Sequence, residues 1–315
     1  MQNSYLFHLE DKMSVMRKFY YGILLGGALS ACRPPTPNTS PIQLLAGNDQ
    51  PLSATTPGSW RKVHPEKEQT LQQFRAASVL GDTSRRTIQL LLVGPPDPKA
   101  DTLLALIAEH LQLYFQLPVK LLPPDSTIPP AGFTRTGASG QIQWRADWLL
   151  DKVLHPLSAP GVAATAGVTS IDLYPSDSWN FVMGLASYHR QVSISSWYRL
   201  QPPGVHKSIS PQLLTRLLKT ITHETGHMLG LAHCQHAACS MNGSNSVSEA
   251  DRQPLRLCSQ CLQKLSSLHA ADLVKRNSRL MQWYRHHRVP NLAQELTADS
   301  ISLSSYAHIF SYIGR

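Results

Sequence analysis

The stretch HETGHMLGLAHCQHAACSM occupies residues 223–241, and CSQC follows at residues 258–261. Four of the chain's five cysteines fall in these two stretches. His223 and His227 stand four residues apart, so on a helix both imidazoles project from one face, one turn apart, and can share a cation. The pattern therefore predicts a metal site built on a helix.

Three further residues complete this pattern. Glu224 is not a ligand here but lies beside the metal, where it can take a proton from a water molecule. Gly230 lets the helix end and the chain turn sharply, because glycine accepts left-handed backbone angles at little cost. That turn can bring His233 back as a third ligand. Three neutral nitrogens with an open fourth position are typical of catalytic zinc, and the alternative is an amphipathic helix with surface histidines.

The cysteines suggest a second metal site. Cys234 and Cys239 form a C-x4-C pair, and Cys258 and Cys261 form a C-x2-C pair. Four thiolates at such spacings suit a closed, structural zinc site. Two disulfides are the alternative, since an exported chain meets oxidising conditions, although a C-x2-C disulfide closes a small strained loop. His236, between the first two cysteines, is predicted to be a solvated loop residue rather than a substitute ligand.

The order of these residues resembles that of a known group of peptidases. HExxHxxGxxH followed closely by a methionine, here Met241, is the pattern of the metzincin clan of zinc peptidases. Cys234, directly after the third histidine, and the later C-x2-C make the chain similar to the archaemetzincin family in particular. The run E-x-D-R-x-P at Glu249–Pro254 and FVMGLA at Phe181–Ala186 also resemble that family. The likeness extends over roughly residues 85–285.

This resemblance implies a zinc peptidase with one catalytic and one structural zinc. His223, His227 and His233 would hold the catalytic zinc, and Glu224 would act as general base and then general acid. Met241 would lie in a tight turn beneath the metal and take no part in the chemistry. The four cysteines would hold the second zinc. An extended peptide substrate is expected along an exposed sheet edge.

Hydrophobic patterning predicts an α/β (α+β) fold with a long active-site helix and a smaller helical C-terminal lobe. The resemblance implies that this is a metzincin-like domain with a mixed twisted sheet. Residues 87–93 (TIQLLLV) are typical of a buried strand. Ser210 is predicted to cap, and Pro211 to open, the helix that carries the histidines. Asp172 and Tyr174, at the end of a strand, are predicted to be core residues. The other predicted elements are helices over 101–115 and 144–154, strands over 119–122 and 168–174, a hairpin of 181–186 and 192–198 turning at 188–190, and one or two helices after Cys261.

The N-terminal region predicts export. Residues 16–32 read MRKFYYGILLGGALSAC, a positive start followed by an apolar run that is too short to span a bilayer as a stable helix. The ending LSAC resembles the bacterial lipoprotein cleavage box, which would make Cys32 the lipidated first residue of the mature chain. An ordinary signal peptide with a chance cysteine is the alternative. We expect residues 1–31 to be a signal peptide, with translation starting at Met16.

Composition divides the rest of the chain. Residues 32–60 are rich in proline, threonine and serine and predict a disordered tether. Residues 61–290 predict one zinc peptidase domain, and residues 291–315 a loose C-terminal tail. The net charge of +9 is scattered rather than clustered, which argues against a nucleic-acid partner and suits an anionic lipid surface.

Together these features predict a membrane-anchored zinc metallopeptidase in a bacterial cell envelope. It would face the periplasm and act as a monomer on a peptide or protein substrate. A non-catalytic, zinc-stabilised peptide-binding lipoprotein is the alternative from another class, but Glu224 argues against it, because a purely structural site has no use for an unligated carboxylate. A metal-independent lipoprotein held by two disulfides is a third hypothesis.

Overall fold

The computed structural model describes residues 40–202 and 208–313, with side chains described up to residue 306. The predicted signal peptide and Cys32 lie outside these residues. The helices are α1 (Pro41–Leu45), α2 (Trp60–Val63), α3 (Leu71–Ala77), α4 (Ala100–Phe115), α5 (Ala146–Leu149), α6 (Pro211–Met228), α7 (Val247–Arg252), α8 (Ser259–Ser266), α9 (Leu273–His286), α10 (Pro290–Glu295) and α11 (Thr297–Ile313). The strands are β1 (Thr87–Leu92), β2 (Val119–Leu121), β3 (Thr134–Thr136), β4 (Ile142–Arg145), β5 (Val162–Thr169), β6 (Asp172–Tyr174), β7 (Gly184–Ser187) and β8 (Val192–Ser196). Among the described helices, none combines the length and the apolar character needed to cross a bilayer.

A mixed sheet of five strands forms the framework, in the order β2-β1-β5-β8-β7. The first four strands run parallel, and β7 runs antiparallel to β8 at the edge. The strand predicted over 87–93 is confirmed as β1, and the predicted hairpin is confirmed as β7 and β8. The predicted mixed α/β fold is confirmed as well.

The sheet separates two apolar cores. Side chains alternate across a strand, so Leu90 and Leu92 of β1 enter the larger core with α4 and α6. Leu91 enters the smaller core on the other face, with α5 and the π-helical turn Leu150–Leu154 that follows it. A Cβ on Gly167 of β5 would lie 2.8 Å from Ile194 Cδ1 and 3.0 Å from the end of a leucine in that turn. The glycine therefore lets these side chains pack directly against the central strand.

A second sheet has the order β3-β4-β6, and here the structure corrects two predicted elements. The strand predicted over 168–174 is wrong as one strand, because the chain turns after Thr169 and continues in the other sheet. Thr169 Oγ1 accepts the Ile171 N–H at 3.2 Å in this turn. The helix predicted over 144–154 begins two residues later, since its first two residues pair with neighbouring strands in β4.

Helix α6 lies against β5, β7 and β8 of the main sheet. Its start is the predicted one, because Ser210 Oγ accepts the Leu213 N–H at 3.1 Å and Pro211 is the first helical residue. The predicted apolar face is buried, with Leu217 and Ile221 both 0% exposed. The sheet thus fixes the direction in which α6 carries its histidines.

The disordered tether predicted over 32–60 is wrong for the part that the structure describes. Residues 41–48 form α1 and a 3-10 turn, and Leu45 is fully buried in the larger core. Asp49 then accepts hydrogen bonds from the backbone N–H and the hydroxyl of Ser259, at 3.0 and 2.5 Å. These partners are 210 residues apart in the chain, so a proline-rich composition gives no sign of them.

The loose tail predicted over 291–315 is also wrong for its described part. Helices α10 and α11 pack onto the larger core through Leu292, Leu296 and Leu303, all at most 3% exposed. Their apolar residues are not concentrated on one helical face, so they give no clear helical period in the sequence. Their position is therefore decided by the core that they cover.

Arg256 joins the two ends of the described chain. Its Nε and Nη2 donate to Asp299 at 2.7 and 3.0 Å, and its Nη1 donates to Asp49 at 2.9 Å. The side chains of Arg256 and Asp299 are 8% and 1% exposed, so this ion pair is shielded from water. The same arginine thus holds the N-terminal segment and α11 beside Cys258.

We expect Asp299→Ala to lower the free energy of unfolding by about 3 kcal/mol, because it leaves a buried guanidinium short of a partner. Asp147→Ala is the matched control. Asp147 pairs with Arg145 at 3.0 Å, but its side chain is 50% exposed, so the loss there should be at most about 1 kcal/mol. Urea denaturation of both variants measures the difference, and equal losses would contradict the role given to Asp299.

Candidate metal centre and active-site cleft

Helix α6 presents two predicted metal ligands side by side. The Nε2 atoms of His223 and His227 are 2.9 Å apart. His223 Nδ1 lies 2.8 Å from the Ser240 carbonyl oxygen. His227 Nδ1 lies 2.7 Å from the Leu231 carbonyl oxygen. Because a carbonyl only accepts, both Nδ1 atoms carry the proton, and both Nε2 lone pairs are free for a metal.

The chain reverses direction after α6, as the sequence predicts. Gly230 has a φ of +101°, and a Cβ there would lie 2.7 Å from Ser78 Cα. Only glycine fits both constraints. The turn returns His233 until its ring centroid lies 5.2 Å from that of His223 and 4.9 Å from that of His227. The three rings offer ligand nitrogens that all lie within 4.8 Å of one another.

Burial keeps the two helix imidazoles neutral. Burial, followed by the nearby His233, lowers the pKa of His223 to about 3. Burial also lowers the pKa of His227 well below its ordinary value. Neutral imidazoles are the form that binds metals, and three of them beside an open cleft fit zinc with a free fourth position.

Glu224 lies beside these ligands and under strand β7. It is 8% exposed, and a Cβ on Gly184 of β7 would lie 2.7 Å from its Oε1, so the glycine makes room for the carboxylate. Burial raises the pKa of Glu224 to about 8. A cation on the three histidines would lower that pKa again, because a nearby opposite charge favours the carboxylate. The group of potential ligands contains the three histidines and not Glu224.

Met241 lies directly beneath α6. It is fully buried, and a Cβ on Gly226 would lie 2.5 Å from its Sδ. The Met241 carbonyl accepts the Cys234 N–H at 2.8 Å. Gly226, inside the histidine motif, therefore makes room for the methionine side chain against the helix between the two ligands.

Tyr188 reaches the site, although the sequence indicates only a hairpin turn for it. Its hydroxyl oxygen lies 2.6 Å from His227 Nδ1 and shares that N–H with the Leu231 carbonyl. Burial, and then the charge of Glu224, raise the pKa of Tyr188. The hydroxyl therefore stays protonated and can donate a hydrogen bond into the cleft.

An open cavity of about 880 Å³ adjoins the histidines and Glu224. Its lining includes β7, α6 and residues 60–64. The Trp60 ring lies edge-on to His233, with ring centroids 4.9 Å apart. The centroids of the Trp60 and His64 rings are 4.2 Å apart. His64 in turn stacks on Trp179 at 5.7 Å. A cavity of this size with aromatic walls fits several side chains of an extended peptide.

The four cysteines lie together in one buried cluster. Their Sγ atoms are all within 4.8 Å of one another, and those of Cys234 and Cys258 are 3.6 Å apart. All four are free thiols. A separation of 3.6 Å is far beyond a disulfide bond of about 2.05 Å, so the geometry favours the zinc interpretation over the disulfide one.

The chemistry of this cluster also fits zinc. The Met241 and Cys258 N–H groups donate to Cys239 Sγ at 3.5 and 3.3 Å, which favours a thiolate. Hydrogen bonds from the other three cysteines, Cys239 first, hold the pKa of Cys234 far below its ordinary value. Burial raises the pKa of Cys239. Without a cation the four buried sulfurs cannot all be thiolates, because the charges repel one another; a tetrahedrally bound divalent cation would remove that repulsion.

Other residues singled out in the sequence lie where it predicts. His236 is on the loop outside the cysteine cluster, with its Nε2 3.3 Å from Asp49. Asp172 and Tyr174 are core residues, 0% and 2% exposed. Both Asp172 oxygens accept from Arg199 at 2.7 Å, so this carboxylate serves the fold rather than the cleft.

Glu66 is the residue that the sequence does not reveal. Its carboxylate oxygens accept hydrogen bonds from His233 Nδ1 at 2.8 and 3.0 Å. The two residues are 167 positions apart. A single glutamate in a polar segment before α3 carries no pattern that could have indicated this contact.

The chain is similar to known peptidases and their relatives. The family model described as peptidase family M54 matches residues 151–267, the span that holds the histidines, Glu224 and the cysteine cluster. Archaemetzincin-2 of Homo sapiens is 33% identical over 266 residues, which cover 74% of each chain. Archaemetzincin of Thermococcus kodakarensis is 39% identical over 106 residues, which cover 33% of this chain and 56% of that one. The crystal structure of archaemetzincin from Methanopyrus kandleri aligns with 59% of this chain and 97% of that chain, at 28% identity and a TM-score of 0.49.

The histidine group, the match to peptidase family M54 and the identity to archaemetzincin-2 define the class of protein as a zinc metallopeptidase. Within that class, the chain belongs to the archaemetzincin family, peptidase family M54.

Proposed function

We propose that this protein hydrolyses peptide bonds at the three-histidine site, with Glu224 as general base and then general acid. One observation carries the proposal. Three imidazoles with free Nε2 atoms converge beside a buried carboxylate that is not one of the ligands, and all four groups line one open cavity. A purely structural metal site would need neither the cavity nor the unligated glutamate.

The chemistry divides between the metal and the chain. Zinc bound to His223, His227 and His233 would polarise the scissile carbonyl. It would also lower the pKa of a water molecule, so that the water loses a proton more easily as it attacks. Glu224 takes the proton of the attacking water and returns it to the leaving amine. The Tyr188 hydroxyl, 2.6 Å from His227 Nδ1, would help to hold that ring with its Nε2 directed at the metal.

Strand β7 supports binding of an extended peptide. It is the last strand of the five-stranded sheet, and it pairs with β8 on one side. Its residues line the cavity together with Glu224. A peptide that adds to β7 as a further strand uses backbone hydrogen bonds, so its scissile bond can approach the histidines with little dependence on sequence.

We expect Glu224→Gln to lower kcat/KM for peptide cleavage by about 10²–10⁴-fold, because the amide keeps the shape of the side chain but cannot accept the proton. Zinc content should stay that of the native protein, since Glu224 is not a ligand. Cleavage of a peptide library, followed by mass spectrometry, measures the loss.

Glu68→Gln, at an exposed position, is the matched control and should cleave as the native protein does. Native-rate cleavage by the Glu224 variant would refute the proposed base. Absence of cleavage by the native, zinc-loaded protein would favour a non-catalytic peptide-binding function.

We further propose that the protein binds two zinc ions, one at the histidines and one at the cysteines. The histidine site opens into the cleft, whereas Cys239 and Cys258 are fully buried. A chelator should therefore reach the first site more easily. The zinc at the cysteines is enclosed by the folded chain. Its loss should therefore also lower the free energy of unfolding.

Elemental analysis of the native protein should give two zinc ions per chain. Cys261→Ser should keep one ion and melt at a lower temperature, because the buried thiolates lose their shared cation. His223→Ala should also keep one ion but melt close to the native temperature. One zinc per native chain, with four cysteines that resist alkylation until they are reduced, would contradict the proposal and support two disulfides.

A lipid anchor at Cys32 and a position in the bacterial envelope complete the proposal. The support is the sequence MRKFYYGILLGGALSAC at residues 16–32, since an apolar run before a small-residue box and a cysteine is typical of lipoprotein signals. Several acyl chains at one cysteine hold a protein firmly on a membrane, whereas a single chain does not.

Expressed in bacteria, the full-length protein should sediment with membranes and resist a high-salt wash, because acyl chains are not displaced by ions. Cys32→Ser should lack the acyl chains by mass spectrometry and leave the membrane fraction. Cys234→Ser, which disturbs the zinc cluster instead, should keep the acyl chains. Release of the native protein by salt alone would contradict the anchor.

A further inference from the structure

The third histidine differs from the other two in what holds its ring. His223 and His227 donate from Nδ1 to neutral backbone carbonyls. His233 Nδ1 instead faces both carboxylate oxygens of Glu66, at 2.8 and 3.0 Å. A carboxylate is a stronger acceptor than a carbonyl, and it carries a full negative charge close to the metal position.

Glu66 is itself aimed by neighbouring donors. Its Oε2 accepts from Trp60 Nε1 at 3.2 Å and from Gln235 Nε2 at 3.3 Å. The Trp60 ring lies edge-on to His233, with centroids 4.9 Å apart. The carboxylate and the imidazole are thus held together from two sides.

A second residue of the same segment fixes the turn that returns His233. Gln69 Nε2 donates to the Gly230 carbonyl at 2.8 Å, and Gln69 Oε1 accepts the Ala232 N–H at 3.2 Å. One side-chain amide therefore clamps the backbone on both sides of the reversal. Residues 60–69 support the third histidine through its ring and through its backbone.

This segment is also hydrogen-bonded to Glu249, close to the part of the cavity wall that contains Asn245. The Trp60 N–H donates to Glu249 Oε1 at 3.0 Å, and Glu249 Oε2 also accepts the Asn245 N–H at 2.8 Å. Residues 60–69 lie outside residues 151–267, the span that the M54 family model matches.

We propose that Glu66 is a positioning residue that orients His233 and strengthens it as a zinc ligand. The inference rests on the proposed zinc site at the three histidines. Glu66 holds the proton on Nδ1, keeps the Nε2 lone pair directed at the metal and makes the ring a stronger electron donor. Such outer carboxylates change metal affinity by about 10–100-fold when they are removed.

The competing explanation is an ordinary surface hydrogen bond. The side chain of Glu66 is 34% exposed and that of His233 is 15% exposed, and exposed pairs contribute little to stability. The two explanations differ in one measurable quantity. A surface contact leaves zinc affinity unchanged, whereas a positioning residue changes it.

Glu66→Gln removes the charge and keeps an acceptor oxygen, and Glu66→Ala removes both. We expect the dissociation constant of the histidine-site zinc to rise about tenfold or more in the first variant and further in the second. Competition with a chelator of known affinity measures it on the full chain. The Co²⁺-substituted protein should show a shifted visible absorption band. Glu68→Gln is the matched control and should bind zinc as the native protein does.

A double-mutant cycle separates positioning from a general effect on the fold. In a His233→Ala background, Glu66→Gln should no longer change metal affinity, because its only route to the metal has been removed. The number of cysteines that resist alkylation before denaturation should equal that of the native protein, which shows that the cysteine cluster is intact. Equal zinc affinity in the native protein, Glu66→Gln and Glu68→Gln would refute the inference.

An equal loss with and without the His233 side chain would also refute it. These readouts are independent of peptide cleavage. If the native protein cleaves no peptide but Glu66→Gln weakens zinc, the proposed function fails and this inference stands. If cleavage is normal and zinc affinity is unchanged, the inference fails alone.

Discussion

The reversal of the chain after α6 is the constraint on which both side-chain clusters depend. Gly230 is at a φ of +101° and lies so close to Ser78 that a Cβ would meet its backbone. Ser78 Oγ also donates to the Leu229 carbonyl at 2.5 Å, which holds the last turn of the helix in place. The direction of the chain after this point decides where His233 lies. Cys234 is the next residue, so the same turn also places the first cysteine of the cluster.

The two clusters are parts of one loop system rather than separate sites. Cys234 directly follows the third histidine, and Ser240, whose carbonyl holds the His223 ring, lies between Cys239 and Met241. The side chain of Asn242 links these segments, because it donates to the Cys234 carbonyl at 2.8 Å and accepts the Cys239 N–H at 2.7 Å. The position of the cysteine cluster therefore helps to fix the positions of the histidine rings that line the cleft.

Long-range polar contacts then fix this loop system to the rest of the fold. Arg256 binds Asp49 and Asp299, which belong to opposite ends of the described chain. Glu66 and Gln69 bind the returning turn from a segment that precedes the whole main sheet. Buried charges need partners, so these contacts specify one arrangement of the terminal segments around the cluster. The two ends of the described chain thus meet beside the cysteine cluster.

The sequence by itself determined the elements whose cause is local. Helix spacing decided that His223 and His227 share a face, and Gly230 and the Ser210–Pro211 pair marked the ends of elements, because capping and glycine angles act within a few residues. Tertiary structure alone decided the contact of Glu66 with His233, the approach of Tyr188 to His227 and the packing of residues 41–48 and of α11. Each of these depends on partners far away in the chain. These side chains follow no period in the sequence. The surface that they contact forms only after the sheet and α6 have assembled.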